Sequence, residues 1–360
     1  MKLDHIDSLR GVAILMVILT HVGSRFAELG ILGELTTYGR LGVQLFFVIS
    51  ALTLCVSTGR RANEDRAVLN FYIRRYFRIA PVYYMGGFIY FFVGAEWLGD
   101  AGVADYIVHS LFLHALFPES FMDVVPGGWS IGVEFMFYFL FPLIYFFAIS
   151  GKSARTAFLL FFASIATSLI ANFTLTSYFG YEEGLWNFTY WNFLNNLPVF
   201  LLGTVLYSIY ESRLMKNINI FVVVGGFTFF TIVTVSLWKI QPRFYVSLIP
   251  ITAAISFIFL YFVFDKVKVI NLSLLRRIGQ VSFSMYIFHF LVITVIFKYL
   301  PINELELSEG VLLLLTFFLT TFITLMVSIF SETYIEKPCV KLGSQIIEWL
   351  RPLQKIKASN

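Results

Sequence analysis

Stretches of about 20 apolar residues recur from end to end of this chain, each long enough to cross the roughly 30 Å hydrocarbon core of a bilayer at 1.5 Å per residue. Nothing else in the sequence restricts the fold as much. Of the 360 residues, 58% are hydrophobic and 13% charged, outside the range of soluble domains. The expected spans are 8–27, 38–57, 79–98, 129–149, 155–174, 190–210, 218–238, 244–264, 280–299 and 311–331. The expected fold class is therefore an all-α integral membrane protein of about ten transmembrane helices. The longest polar interval runs only from Thr58 to Arg78, so one transmembrane domain, 1–335, is expected, with a short basic tail at 336–360. The first apolar segment lacks a small-residue cleavage site and is expected to be retained as a helix.

A shorter apolar stretch, Tyr106 to Phe117, decides the orientation of everything after it. If it does not cross and the N-terminus is cytoplasmic, 21 of the 26 Lys and Arg residues fall inside. Only Arg25, Arg40, Lys239, Arg243 and Lys298 then lie outside, together with the acidic clusters Glu182-Glu183 and Glu304, Glu306, Glu309. Crossing would turn Lys266, Lys268, Arg276, Arg277 and the basic tail outward, against the positive-inside rule. The stretch is expected to be re-entrant or peripheral, with both termini cytoplasmic. The net charge of +4 is spread over many short loops, which points to membrane topology rather than to nucleic acid. The two cysteines, Cys55 and Cys339, suggest no disulfide framework, and the histidines His5, His109 and His114 have no partners at zinc spacing, so no metal is expected.

Charged groups inside spans are rare and commonly face a bundle interior or a watery cavity. Arg10 and His21 stand eleven positions apart, about 20° past three full turns, so they share one face of the first helix about 16 Å apart. An arginine near the inner mouth suits a phosphate, and an imidazole can take a hydroxyl proton near neutral pH. The plainer alternatives are a snorkelling arginine and a histidine satisfied by packing. In Phe71-Tyr72-Ile73-Arg74-Arg75-Tyr76-Phe77-Arg78-Ile79-Ala80-Pro81, the arginines at 74, 75 and 78 share a helical turn that could clamp a polyphosphate, or anchor the helix at lipid headgroups. Pro81 disfavours helix at Ala80, so a break before the third span is expected.

Glu134, the one charge of its span, follows Pro126-Gly127-Gly128-Trp129-Ser130. A capping box would place the acid at position 133, so capping does not explain it, whereas orienting His21 or an acceptor hydroxyl would. His289 falls mid-span after Ser284 and Tyr286, where an interhelical contact competes with catalysis. Asn195 and Asn196, ahead of Pro198, could line an acceptor site or satisfy exposed backbone groups.

Taken in order, these blocks resemble the acyltransferase-3 family of membrane O-acyltransferases of bacterial envelope glycan modification. The resembling segments are Ile6-Asp7-Ser8-Leu9-Arg10-Gly11-Val12-Ala13 with His21, residues 42–50 ending in Phe46-Phe47-Val48-Ile49-Ser50, the run from Phe71 to Pro81, Trp129 to Tyr138, Leu197 to Gly203, Ile278 to His289, and Ser331 to Pro338. Departures are Ala51, where the family often has Gly, and Phe135, where it often has a second acid.

The resemblance implies that cytoplasmic acyl-CoA, with acetyl-CoA the expected form, donates its acyl group to a saccharide hydroxyl on the outer side of the bacterial inner membrane. It implies Arg10, His21, Arg75 and Arg78 as the functional set. Together with the reading of the spans, His21 and Glu134 are expected to be catalytic, Arg10, Arg74, Arg75 and Arg78 to hold the acyl-CoA, and Trp129, Ser130, Tyr138 and His289 to face the substrate. His21 would act as general base or as transient acyl carrier. Many relatives carry an added esterase-like domain; none is expected here, leaving transfer to this chain alone or with an envelope-assembly partner. The rival expectation is a transporter of a lipid-linked sugar, which would show flux without acyl transfer. A structural scaffold would leave Arg10, His21 and Glu134 without purpose.

Overall fold

The computed structural model describes residues 4–93, 101–121, 124–151, 154–179, 188–212, 217–240, 246–270 and 272–351. The chain opens with α1 (Asp4–Gly23), α2 (Ile31–Thr37), α3 (Gly42–Gly59), the long α4 (Ala67–Val93) and the short α5 (Val103–Ser110). It continues with α6 (Trp129–Ile144), α7 (Ala154–Phe179), α8 (Phe193–Ser212), α9 (Ile220–Ile240) and α10 (Leu248–Lys266). The last helices are α11 (Ser273–Gln280), α12 (Ser282–Tyr299), α13 (Glu309–Ser331) and α14 (Lys337–Trp349). No strand occurs among the described residues.

Nine helical runs among the described residues are long and apolar enough to cross a membrane. They coincide with nine of the ten expected spans, and the remaining one falls on α4, whose first half carries Arg74, Arg75 and Arg78. The chain is an all-α, multi-pass integral membrane protein. Residues 94–100, where the third span was expected to end, lie outside the described residues, as do Lys152, Glu182-Glu183, Arg213, Lys216 and Arg243. The stretch around 106–117 forms only the eight-residue α5 and a turn of 3-10 helix at His114–Leu116. Eight residues of helix reach about 12 Å, too little to cross.

Ion pairs sort the loops by end of the bundle. Arg276 pairs with Asp4 at 2.9 Å and Arg277 with Glu332 at 2.6 Å, while Arg66 donates to the Leu350 carbonyl at 3.2 Å. The start of α1, the basic start of α4, α11 and the C-terminal helix therefore share one end. At the other end Lys239 pairs with Glu34 at 2.9 Å, and the Glu28 amide donates to Glu309 at 2.6 Å. This is the grouping that the charge count requires.

α1 is the central helix, enclosed by α3, α10, α11, α12 and α13. α9 lies outside against α10, with Phe221, Phe229 and Ile240 exposed on a face suited to lipid. The contact of α1 with α11 depends on missing side chains: a Cβ on Gly279 would collide with the Asp7 carbonyl, and one on Gly11 with the Leu275 carbonyl. Because the obstacle at Gly279 is backbone, Gly279→Ala is expected to cost about 1–3 kcal/mol of stability by overpacking. Thermal unfolding of the detergent-solubilised chain measures this, and an unchanged midpoint would contradict the close approach.

Two expectations are corrected. α4 runs unbroken through Pro81, with packing against neighbouring helices on both sides of the proline to support it. Phe77 lies against Gly343 of α14, while Gly86 abuts Ile287 and the Tyr90 hydroxyl donates to the Ile287 carbonyl at 2.8 Å. The expected domain boundary at residue 335 falls inside one continuous helical run, Glu309–Trp349, whose final part folds onto α4. The tail as far as Trp349 belongs to the bundle.

Candidate active site

A polar cavity of about 450 Å³ opens between α1, α3, α4, α6, α12 and α14, within the usual size of small-molecule sites. α3 contributes Ser50, Thr53 and Ser57, spaced so that three hydroxyls fall on one face of an otherwise apolar helix. α4 contributes Arg74, Arg75 and Arg78 from one turn, α1 contributes Arg10, and α6 contributes Ser130, Glu134 and Tyr138. Tyr286 of α12 and Val340 and Ser344 of α14 close the wall. Seven of the ten residues singled out from sequence thus meet on one cavity, from three separate helices.

The five guanidinium groups that line the cavity are not equivalent: Arg61 is paired with Glu64 at 3.5 Å. Arg74 is held by Glu64 at 2.8 Å, and Arg78 by Glu336 at 3.4 Å. Glu336 is 1% exposed and also accepts a hydrogen bond from Ser284. Arg10 and Arg75 form no ion pair among the described residues: Arg10 donates to Thr53 at 3.3 Å, and Arg75 to Ser57 at 3.5 Å. The Arg75 Nε is buried with no partner, and its guanidinium lies over the Phe71 ring at 5.8 Å. Phe71 therefore supports the arginine from beneath, itself stacked on Phe141 at 5.4 Å. Two partly buried cations with only hydroxyls as hydrogen-bond partners suit the cavity to an anion.

Glu134 accepts hydrogen bonds from Ser50 and Tyr138. Its hydrogen bonds do not go to His21, which corrects the expectation that it orients that imidazole. Ser130 is likewise occupied, donating to the Tyr286 hydroxyl at 2.8 Å, while Tyr286 donates to the Gly127 carbonyl at 3.0 Å. Gly127 can make this turn because it has φ 74°, which a side chain would strain.

His21 and His289 lie outside the lining of the cavity and against each other, ring centroids 5.3 Å apart. Phe290 packs on both, at 4.2 Å from His21 and 4.3 Å from His289. The Tyr286 ring borders the cavity on one side and stands 5.6 Å from His289 on the other. Cavity, Tyr286, His289 and His21 thus follow one another through the bundle.

Three sequence readings resolve as packing. Trp129 lies outside the cavity, stacked on Trp191 at 5.1 Å and edge-on to Phe47. Asn195 and Asn196 donate to the carbonyls of Tyr190 and Trp191, at 2.6 and 3.1 Å, ahead of Pro198. Asn195 also joins Asn172 and Ser168 in a fully buried polar knot, so backbone satisfaction accounts for the pair. His109 and His114 stack at 3.9 Å, donating to the Ser120 and Gly128 carbonyls. Burial pushes His109 down to about 4 and His114 to about 3, so both are neutral clasps tying the loop before α6 in place.

Thr53, Ser57, Tyr286 and Glu336 were not singled out. Hydroxyls at i, i+3 and i+7 in an apolar span were the available signal for α3, but Glu336 is recognisable only once the end of the run Glu309–Trp349 is seen packed against α4. A second cavity of about 400 Å³ lies between α4 and α5, lined chiefly by Tyr83, Phe88, Phe91, Val124 and Val125. Without a charged lining residue it offers nothing to an anion.

The sequence matches the family described as "Acyltransferase domain" over residues 3–332. It is 23% identical to the O-acetyltransferase OatA of Staphylococcus aureus, over 97% of this chain and 59% of that protein. It is 30% identical to the acyltransferase MdmB of Streptomyces mycarofaciens, over 40% of this chain and 39% of that protein. The chain thus spans less than two thirds of the length of either relative, and no solved structure matches it. Since the family match takes in α1 to α13 with the arginine cluster, the acid of α6 and both histidines, the chain belongs to the acyltransferase domain family.

Proposed function

We propose that this chain is a bacterial membrane O-acetyltransferase that takes an acetyl group from acyl-CoA at the inner face and delivers it to a hydroxyl of an envelope saccharide on the outer side. The observation that carries the reading is the pair of guanidiniums, Arg10 and Arg75, that face the cavity without a carboxylate partner. A donor with several phosphates supplies the charge they lack. Arg78 and Arg74 join them once their hold on Glu336 and Glu64 is shared with the donor. The family supports acyl transfer, and the O-acetyltransferase name of OatA supports acetyl on oxygen. The basic residues gathered at the cavity's end of the bundle support a cytoplasmic mouth.

In the reaction that follows, His21 removes the proton from the acceptor hydroxyl as its oxygen bonds to the thioester carbonyl carbon, and the carbon–sulfur bond breaks. The proton then passes from His21 to the departing thiolate. His21 fits the role better than His289 because it is only partly buried, whereas His289 is fully enclosed. The experiment feeds acetyl-CoA labelled in the acetyl group to membrane vesicles carrying the chain and identifies labelled material by mass. Label on a saccharide oxygen is expected. Movement of a lipid-linked sugar with no label transfer would replace this reading by transport.

A further inference from the structure

His289 is completely buried, and its Nδ1 lies 2.7 Å from the Tyr286 carbonyl oxygen. A carbonyl can only accept, so Nδ1 carries the hydrogen, and the Nε2 of the neutral ring carries a bare lone pair. That Nε2 is buried with no hydrogen-bond partner. An acceptor left unmet inside a bundle is costly, and such exceptions mark groups waiting for a partner. The nearest ring able to supply an N–H is His21, at 5.3 Å between centroids, with Phe290 packed against both.

We infer that His289 is a positioning residue for the base His21: its Nε2 receives an N–H of the His21 imidazole, which fixes the tautomer so that the other His21 nitrogen presents its lone pair to the acceptor hydroxyl. This rests on the acyl-transfer reading above and adds to it the partner that Glu134 does not provide. The Tyr286 carbonyl orients His289, and His289 orients His21, so two helices far apart in sequence set one lone pair. The same contact stabilises His21 while it holds the acceptor's proton, before that proton leaves on the thiolate. His289 itself exchanges no proton and touches no substrate. In this structure the ring centroids stand 5.3 Å apart without a hydrogen bond, and the partly buried His21 must rotate to close one.

Two substitutions separate positioning from packing. In His289→Asn the amide nitrogen still reaches the Tyr286 carbonyl, but nothing occupies the place of Nε2. In His289→Gln the amide oxygen reaches that place and restores an acceptor. Release of the CoA thiol from acetyl-CoA is followed in membrane vesicles carrying the full chain, with folding monitored by thermal unfolding of the solubilised protein. His289→Asn is expected to lower kcat by about 10–100-fold, with KM for acetyl-CoA unchanged, as befits loss of a hydrogen bond to a charged group. His289→Gln is expected to recover most of that loss. Wild-type kcat in His289→Asn, or a His289→Gln protein that folds but is no better than His289→Asn, overturns the inference while leaving the proposed function standing. Absence of thiol release in the wild-type chain overturns both.

Discussion

Replacing His21 with Ala is expected to reduce kcat for acyl transfer by about 10²–10⁴-fold while leaving acetyl-CoA binding intact. The separation of the two effects follows from the layout: the anion-holding arginines line the cavity, whereas His21 stands beyond Tyr286 and His289, outside that lining. Removing the imidazole takes away the group that accepts the hydroxyl proton and touches none of the groups that meet phosphate. Burial makes the alternative routes poor. Phe290 closes one side of the imidazole, and the neighbouring His289 has its Nδ1 committed to a carbonyl. Purified protein reconstituted in vesicles and saturated with acetyl-CoA gives the measurement. Unimpaired transfer by His21→Ala would remove His21 both as base and as acyl carrier, and the positioning role of His289 with it.

The contrast between α1 and α4 shows how far the sequence reaches. For α1, a fixed period of 3.6 residues places Arg10 and His21 on one face before any neighbour is known, and the structure puts both at the heart of the bundle. For α4, the local preference of the residue before proline argued for a break, and packing against α12 and α14 overrode it. Pairings between distant helices were not legible. His21 and His289 are joined only by the course of α12 along α1, and Glu336 reaches Arg78 only because the continuous run Glu309–Trp349 packs along α4. Trp129 and Ser130 were expected together at the substrate, yet helical geometry turns adjacent residues about 100° apart. Ser130 lines the cavity and Trp129 stacks in the core.

Substitution of Arg75 is expected to distinguish it from its neighbours on the same turn. Arg74 and Arg78 each hold a carboxylate, so part of their charge is already answered, by Glu64 and Glu336. Arg75 has a hydroxyl, an aromatic ring and a buried Nε with no partner, so its hydrogen-bonding capacity is the most available to a phosphate. Loss of a charge-assisted hydrogen bond is worth about 1.5–3 kcal/mol, so Arg75→Ala is expected to raise KM for acetyl-CoA by about 10–100-fold, with kcat at saturation near the wild-type value. Arg75→Lys is expected to recover only part of this, because a single ammonium cannot reproduce the planar fork and sits less well over Phe71. Arg78→Ala is expected to behave differently. It strands Glu336, which is 1% exposed, next to the anionic donor, so thermal stability falls together with donor affinity. Steady-state kinetics over a range of acetyl-CoA concentrations, paired with thermal unfolding, resolves the three. A wild-type KM in Arg75→Ala would show that the unpaired guanidinium serves the bundle rather than the donor, and the cavity would then need another account of its charge.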